Sequence, residues 1–198
     1  GGSGGKGSIY PEFSIDNGLE ITLKSTNYEG GVEIMSSIGT LSFQSPYINS
    51  EFGLTNESNG FAVVIEEGDP ECTRTEVYKM TSSGLYYLGS IWSEVGYPDE
   101  VNVNSPAACY LQYPVQKGDK TELFPGSGLY MICEGVETIT TPIGDLRCVV
   151  ISGECTMPVG ATFKVYLHEK YLQVRAETRD ANGDLVYFHE IQSANKLY

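Results

Sequence analysis

Short stretches in which apolar and polar residues alternate recur along almost the whole chain, and this pattern constrains the fold most. Residues 19–24 (Leu-Glu-Ile-Thr-Leu-Lys) alternate as a half-buried β-strand does, and Gly30-Gly31 marks a turn after them. Gly, Pro or β-branched residues interrupt every stretch long enough to form an amphipathic helix. The pattern predicts a mainly β fold with little helix, an antiparallel meandering sheet or a sandwich or half-barrel.

The strand pattern is interrupted once, over residues 91–106. This stretch contains Gly96-Tyr97-Pro98-Asp99 and Ser105-Pro106, which predict a long surface loop. Residues 9–198 are therefore expected to form a single β domain, with a division into two packed halves near 91–106 as an option. Beyond residues 19–24, strands are predicted at residues 32–34, 61–66, 75–80, 85–88, 108–113, 129–140, 146–152, 162–168, 172–178 and 185–191.

Residues 1–8 (Gly-Gly-Ser-Gly-Gly-Lys-Gly-Ser) have almost no side chains that could pack, which predicts a flexible tether. Such a stretch is typical of the segment after the lipid-modified cysteine of a bacterial lipoprotein, and a linker added for expression is the alternative. The sequence lacks an apolar run of about 18 to 20 residues. We therefore expect the protein to be tethered to a membrane rather than to span one.

The charge of the chain argues against one class of partner. Twelve Lys and Arg residues stand against 26 Asp and Glu residues, which gives a formal net charge of −14. A field of this sign repels nucleic-acid phosphates and anionic lipid headgroups. We expect no nucleic-acid partner.

The cysteines suggest disulfides rather than a metal site. None of the five lies in a CxxC pair or at zinc-finger spacing from a histidine, and no cofactor motif is present, so neither a metal nor a cofactor is expected. An oxidising compartment would permit one or two disulfides. The five are Cys72, Cys109, Cys133, Cys148 and Cys155.

A hairpin centred on Gly144 gives the first candidate disulfide. A three-residue loop there places Cys133 directly opposite Cys155, at a spacing that a disulfide can bridge. A two-residue loop would misalign the pair. Cys72–Cys109 is the second candidate, and Cys148 would then be a spare thiol.

The last hairpin can be placed in register. Asn182-Gly183 favours a type I′ turn, in which Ala181 faces Asp184 and Arg175 pairs with Glu190. The surrounding Asp180 to Asp184 resembles the start of a calcium loop. Its glycine stands fourth rather than sixth, which favours the hairpin.

His168 and His189 are the two histidines of the chain and the residues best suited to shuttle protons near neutral pH. Neither is accompanied in the sequence by a recognisable nucleophile and acid. A hydrolase that assembles a histidine and a carboxylate by folding remains an alternative, but no catalytic residue is predicted.

Aromatic side chains provide a candidate binding surface. The chain has 14 Tyr and one Trp, and tyrosine combines an apolar ring with a polar tip that suits recognition. The other interpretation is that these residues simply fill strand positions and the rim of the core. The candidate residues are Tyr86, Tyr87, Trp92, Tyr97 and Tyr110.

Residues 84–198 resemble a family of exported bacterial proteins and lipoproteins of unknown function. The shared motifs are the Gly-Leu-Tyr strand at 84–89, the Tyr-Pro to Gly-Asp segment at 113–119, the Gly-x-Glu hairpin at 135–148 and the Arg-x-Glu strand at 174–177. The chain departs from the pattern at Lys170-Tyr171-Leu172, where the family usually has a glycine, and after Asp119, where an aromatic residue commonly follows.

The resemblance implies a non-catalytic antiparallel sheet in the periplasm or on the outer membrane, similar to the curved sheets of lipoprotein-carrier proteins. The main hypothesis is a binding or structural module of the cell envelope that contacts a protein, a glycan or a lipid. A periplasmic carrier of a hydrophobic ligand is the alternative within the same fold, and it requires an open apolar cavity.

Overall fold

The computed structural model describes residues 10–56, 59–66, 72–122, 126–155 and 159–198. These residues form twelve antiparallel strands and a 3₁₀ turn at Ser50–Phe52, so the mainly β prediction is confirmed. The strands are β1 (Glu20–Glu29), β2 (Val32–Gln44), β3 (Gly60–Glu66), β4 (Cys72–Thr81), β5 (Gly84–Glu94), β6 (Glu100–Gln112), β7 (Lys120–Glu122), β8 (Tyr130–Thr141), β9 (Gly144–Glu154), β10 (Thr162–His168), β11 (Leu172–Arg179) and β12 (Leu185–Ala194). The predicted tether at residues 1–8 lies outside the described residues.

The twelve strands belong to one sheet with the order β6-β5-β4-β3-β2-β1-β12-β11-β10-β9-β8-β7. Strands β1 to β6 form one meander and β7 to β12 a second, and the pairing of β1 with β12 joins them. The sheet curves into a nearly closed barrel, in which the two end strands β6 and β7 come into contact. No helix among the described residues is long and apolar enough to cross a membrane.

The first hairpin shows how the local sequence produces this sheet. Gly30 and Gly31 have φ angles of 56° and 78°, and both positive values are those of a type I′ turn. The turn pairs Glu29 with Val32 and leads β1 directly into β2. The turn predicted at Gly30-Gly31 is confirmed.

The main core lies inside the barrel, and the segment before β1 closes part of it. Tyr10, Phe13 and Ile15 are buried there against side chains from both meanders. The hydroxyl of Tyr10 lies 3.1 Å from the carbonyl oxygen of Leu167 and 3.0 Å from Oε2 of Glu169. These contacts hold the segment against β10 and the turn that follows it.

The long loop predicted at residues 91–106 is wrong. Residues 91–94 complete β5 and residues 100–106 belong to β6, so only residues 95–99 form the turn. β6 is an end strand of the sheet, and a proline such as Pro106 is tolerated there because a free edge needs no N–H donor. The pairing of β5 and β6 shifts register between Tyr87 and Gly89, next to this proline.

The register predicted for the hairpin of β8 and β9 is also wrong. Its loop has two residues, since Thr141 pairs with Gly144, and the hydroxyl of Thr141 donates to the carbonyl oxygen of Gly144 at 2.8 Å. A bulge between Cys133 and Gly135 adds a further shift, so Cys133 faces Ile151. Cys133 and Cys155 are therefore not opposite one another, and both are free thiols.

The second candidate disulfide, Cys72–Cys109, is not brought together either. Cys72 pairs with Glu94 and Cys109 pairs with Tyr86, two positions on β5 that are eight residues apart. This separation corresponds to roughly 26 Å along a strand, far beyond the reach of a disulfide.

The last hairpin has the predicted register but a different turn. Arg175 pairs with Glu190 and Ala176 with His189, which confirms the register. The loop, however, has three residues, because the N–H of Asp180 donates to the carbonyl oxygen of Asp184 at 2.9 Å. Gly183 takes the left-handed position with a φ of 88°, and a bulge between Thr178 and Arg179 restores the register further along. The type I′ turn and the pairing of Ala181 with Asp184 are wrong.

Candidate functional site

A cavity of about 450 Å³ lies inside the barrel, between the first meander and strands β11 and β12. This volume lies within the range of pockets that bind small molecules in proteins. The cavity is bounded by Leu23, Leu41, Val63, Ile65, Arg74, Glu76, Tyr78, Tyr87, Ala108, Tyr110, Leu172, Gln173, Ala176, Tyr187 and His189. Most of this wall is aliphatic or aromatic, and polar groups come from β4 on one side and from β11 and β12 on the other.

The alternation of β4 explains how three polar residues reach the inside. Arg74, Glu76 and Tyr78 are two residues apart, so they project from the same face of the strand. The intervening Val77 points to the outer face and packs there with Phe52 and Leu54 in a second apolar cluster. Both faces of β4 are therefore buried at Val77 and Tyr78, and the inner face carries the polar groups of the cavity.

A cluster of tyrosines forms the aromatic wall. The ring of Tyr78 stacks on Phe61 at 5.2 Å, tilts against Tyr87 at 5.3 Å and meets Tyr110 edge to face at 6.2 Å between centroids. Burial is the main cause that raises the pKa of Tyr78, Tyr87 and Tyr110 above the ordinary value. Their phenols are neutral at physiological pH and present uncharged O–H groups beside apolar rings.

The charged groups of β4 satisfy one another. Nη2 of Arg74 lies 3.0 Å from Oε1 of Glu76, and the hydroxyl of Tyr78 donates to Oε2 of the same carboxylate at 2.7 Å. The guanidinium of Arg74 also lies 5.5 Å from the ring centre of Trp92, which faces it on β5. Among the described residues, Nε of Arg74 is buried without a hydrogen-bond partner.

A second polar row stands on the opposite wall. Nε2 of Gln173 donates to Nε2 of His189 at 2.7 Å, and Nδ1 of His189 lies 3.1 Å from the hydroxyl of Tyr187. That hydroxyl donates in turn to Oγ of Ser25 at 3.2 Å. Burial lowers the pKa of His189 to about 4, so the imidazole is neutral near pH 7.

The backbone of β11 contributes to this arrangement. Leu172 has a φ of 61°, an uncommon left-handed value for a side chain that branches at Cγ. A bulge opposite Tyr166 and Leu167 follows it, so both Leu172 and Gln173 face the cavity. Irregular strand geometry thus places one apolar and one polar group side by side in the wall.

The cavity as a whole carries no net charge. Its single cation, Arg74, is paired with its single carboxylate, Glu76, and its histidine is neutral. A ligand ion inside it would lack an opposite charge and would lose its hydration, which is costly. The chemistry of the walls suits a molecule with an apolar body and an uncharged hydrogen-bonding group.

Two further spaces lie beyond Arg74, towards the turn between β5 and β6. A space of about 140 Å³ is bounded by Ile65, Cys72, Thr73, Arg74 and Trp92. An outer groove of about 500 Å³ follows, formed by Cys72, Trp92, Ser93, Glu94, Tyr97, Pro98 and Glu100. Trp92 and Tyr97 are the aromatic groups of this groove, with 48% and 69% of their surfaces exposed.

The structure divides the aromatic residues that the sequence proposed as one surface. Tyr87 and Tyr110 line the cavity, and Trp92 and Tyr97 line the outer groove. Tyr86 packs instead against the second apolar cluster, and its hydroxyl lies 3.1 Å from Oγ of Ser83.

Sequence reasoning missed the polar residues of the cavity. The charged pair on β4 had a local signal, because Arg74 and Glu76 alternate with Thr75 and Val77 and so share a face. Gln173 and Tyr187 had no such signal, since a bulge and the closure of the barrel decide where they point.

The other histidine belongs to a contact network in the core. Nδ1 of His168 accepts from the backbone N–H of Lys170 at 3.2 Å, and its Nε2 lies 3.6 Å from Oε2 of Glu169. The ring stacks on Tyr171 at 5.0 Å. These contacts of His168 are typical of a structural histidine.

Burial raises the pKa of the Cys148 thiol to about 12, which keeps it protonated and poorly nucleophilic.

No protein-family model matches this chain, and no curated protein matches it. Solved structures similar to it include a Bacteroides fragilis protein assigned as exported, with a YmcC-like fold. That match has 13% identity and a TM-score of 0.48, and it covers 95% of this chain and 99% of that chain. A Parabacteroides distasonis protein assigned as a lipoprotein has 12% identity and a TM-score of 0.44, over 94% of this chain and 97% of that chain.

The MucA/MucB complex of Pseudomonas aeruginosa is also similar, at 13% identity and a TM-score of 0.41. The match covers 89% of this chain and 50% of the chain in that complex.

Proposed function

We propose that this protein is an exported, non-catalytic binding module of a bacterial cell envelope that holds an amphiphilic ligand inside its barrel. The observation that carries the proposal is the cavity of about 450 Å³ between the two meanders, with apolar and aromatic walls and polar groups that satisfy one another. The ligand has an apolar chain or ring system and an uncharged polar head.

The walls account for both parts of this ligand. Each methylene group that leaves water for the apolar wall contributes about 0.8 kcal/mol to binding. The phenols of Tyr87 and Tyr110 and the amide of Gln173 supply hydrogen-bonding groups near this wall. Arg74 is already paired with Glu76, so a ligand carboxylate would compete for an ion pair rather than complete one.

The setting in the envelope is supported by the sequence. The motifs between residues 84 and 198 resemble exported proteins and lipoproteins, and residues 1–8 have the composition of a tether. The net charge of −14 disfavours the surface of an anionic membrane as the docking partner. A tethered module that captures a lipid-like molecule agrees with these features.

The hydrolase alternative gains no support from the two histidines. Both ring nitrogens of His189 are engaged with Gln173 and Tyr187, and those of His168 face a backbone N–H and Glu169. A general base needs a free nitrogen within reach of a nucleophile.

The proposal is tested with the uncharged fluorophore N-phenyl-naphthylamine, displaced by decanol, decanoate or decyltrimethylammonium. We expect the fluorophore to bind with enhanced emission and decanol to displace it. The two ions should displace it roughly tenfold less well, because their charges would be buried without a counter-ion.

Two matched substitutions locate the binding site. Ala176→Phe places a ring in the cavity and should abolish binding, whereas Ala181→Phe, in the exposed turn after β11, should leave binding unchanged. Thermal unfolding of each variant checks that it is folded. Equal binding by folded Ala176→Phe and wild-type protein would refute a ligand site in the cavity.

A further inference from the structure

The cavity, the space next to it and the outer groove lie in one line along β4 and β5. The cavity and the neighbouring space share Ile65 and Arg74 in their walls, and that space and the outer groove share Cys72 and Trp92. The space of about 140 Å³ is therefore a neck between an interior volume of about 450 Å³ and an outer one of about 500 Å³.

The strand register places two side chains across this neck. Arg74 pairs with Trp92, and the next inward-facing pair towards the turn is Cys72 with Glu94. Directly opposite residues on one face of an antiparallel pair are in contact distance, so Arg74 and Trp92 meet where the neck opens into the cavity. The guanidinium over the indole ring, at 5.5 Å, separates the two volumes.

Arg74 can move away from its contacts without leaving a charged group buried and unpaired. Its side chain is 39% exposed, so its ion pair with Glu76 is screened by solvent and weak. Glu76 keeps the hydrogen bond from Tyr78 when the guanidinium moves away. Nε of Arg74 has no hydrogen-bond partner while the guanidinium lies over Trp92. This donor can therefore gain a hydrogen bond, and loses none, when the side chain turns away.

The outer groove offers apolar surface beyond the neck. Trp92, Tyr97 and Pro98 form its apolar part, and they continue the aromatic lining of the cavity outwards. Glu94 and Glu100 flank this surface without a lysine or arginine in the groove, so its rim suits an uncharged chain better than an anionic head.

We infer that Arg74 is the gate between the cavity and the outer groove, and that it sets the chain length of the ligand. This inference rests on the proposed binding of an amphiphile. Short chains bind inside the cavity with Arg74 closed on Trp92. Longer chains displace the guanidinium, pass through the neck and lie on Trp92 and Tyr97, with the polar head held at the Gln173 amide.

The test is a displacement series with straight-chain alcohols of increasing length. In the wild-type protein each added methylene should strengthen binding about fourfold until the cavity is filled, after which the gain per methylene falls because Arg74 must be displaced. In Arg74→Ala the gain in affinity per methylene should begin to fall only at a longer chain. The longest alcohols should bind on the order of tenfold more tightly than to the wild type, and the shortest ones equally well.

Two further variants make the outcome specific to the neck. Ile65→Trp narrows the neck from the opposite side and should weaken only the long chains. Arg179→Ala removes the same charge from an exposed ion pair with Glu177, neither of which lines the cavity, and should behave as wild type. The same chain-length profile in Arg74→Ala, Ile65→Trp and wild-type protein would overturn the gate and leave cavity binding intact. Failure of every alcohol to bind the wild type would overturn both proposals.

Discussion

Gln173 donates a hydrogen bond to Nε2 of His189 across 2.7 Å, and this bond determines the protonation of the imidazole. An amide N–H₂ group only donates, so Nε2 must carry a lone pair and the proton sits on Nδ1, directed at Tyr187. Both nitrogens are satisfied in this neutral form. Protonation would place two like donors face to face inside a buried wall.

The stability of the protein should therefore fall in mild acid because of His189. Its pKa is about 4 in the folded protein and about 6.5 when unfolded, so the unfolded chain binds more protons between these values. Stability is fully retained above about pH 6.5 and decreases by about 3 kcal/mol as the pH falls to 4. Urea unfolding at a series of pH values measures this slope.

His189→Gln is the matched variant, because glutamine does not titrate. The pH dependence of wild-type minus variant stability isolates His189 from the carboxylates and from His168, whose pKa is also lowered, mainly by burial. A difference that stays constant from pH 7 to pH 4 would contradict the assignment of a neutral, buried imidazole.

Arg175 should contribute more to stability than Arg179, the other arginine with an ion pair on β11. Its Nε donates to Oε1 of Glu190 at 2.9 Å, and its Nη2 donates to the carbonyl oxygen of Thr140 at 2.7 Å. The side chains of Arg175 and Glu190 are only 19% and 16% exposed. Arg175→Met leaves the Glu190 carboxylate unpaired and should cost about 3 kcal/mol in chemical denaturation.

Arg179→Ala provides the comparison for this prediction. Its ion pair with Glu177 is 3.5 Å long and its side chain is 48% exposed, so we expect a change below about 0.5 kcal/mol. Equal losses of unfolding free energy in Arg175→Met and Arg179→Ala would show that the partly buried contacts with Glu190 and Thr140 add nothing to stability.

Gly89 should tolerate no side chain. Its φ is 141°, and a Cβ atom there would lie 2.0 Å from the carbonyl oxygen of Asn102 on β6. Gly89→Ala must distort the β5–β6 pairing and should destabilise the protein by about 3 kcal/mol. Gly96→Ala, where φ is 89° and the space is open, should cost only about 1 kcal/mol. Thermal unfolding of both variants distinguishes a close approach from backbone strain alone.

The thiols should react in the order of their burial. Burial raises the pKa of Cys148 to about 12, and the residue is fully enclosed in the core. Cys155 is part-exposed, and its pKa is raised by burial as well. A thiol reagent at pH 8 should modify Cys155 in the native protein and Cys148 only after unfolding.

Peptide mapping of the modified protein identifies the sites, and Cys155→Ser serves as the control that removes the early modification of that peptide. A Cys133–Cys155 disulfide found by mass spectrometry without reductant would contradict the register of β8 and β9.

The last hairpin shows which features the sequence predicts and which it does not. The pairs of Arg175 with Glu190 and of Ala176 with His189 follow from complementary side chains on each face, so they could be predicted. The turn itself could not, because a three-residue loop with a bulge and a two-residue loop produce the same register beyond them. For β8 and β9 the loop lies at Pro142 and Ile143 rather than around Gly144, and the bulge after Cys133 adds to the shift instead of compensating for it, so Cys133 faces Ile151.

By itself, the sequence of this protein determined most of the strands, the alternation of side chains along them and the resemblance to exported lipoproteins, but not the start of β6 or the short β7. Alternation is local, since consecutive side chains of any extended strand point to opposite sides, and Arg74, Glu76 and Tyr78 had to share a face. Only the tertiary structure decided that this face meets Gln173 and His189 across a cavity. That contact depends on the pairing of β1 with β12, which joins two meanders from opposite ends of the chain, and no pattern within a single strand encodes it.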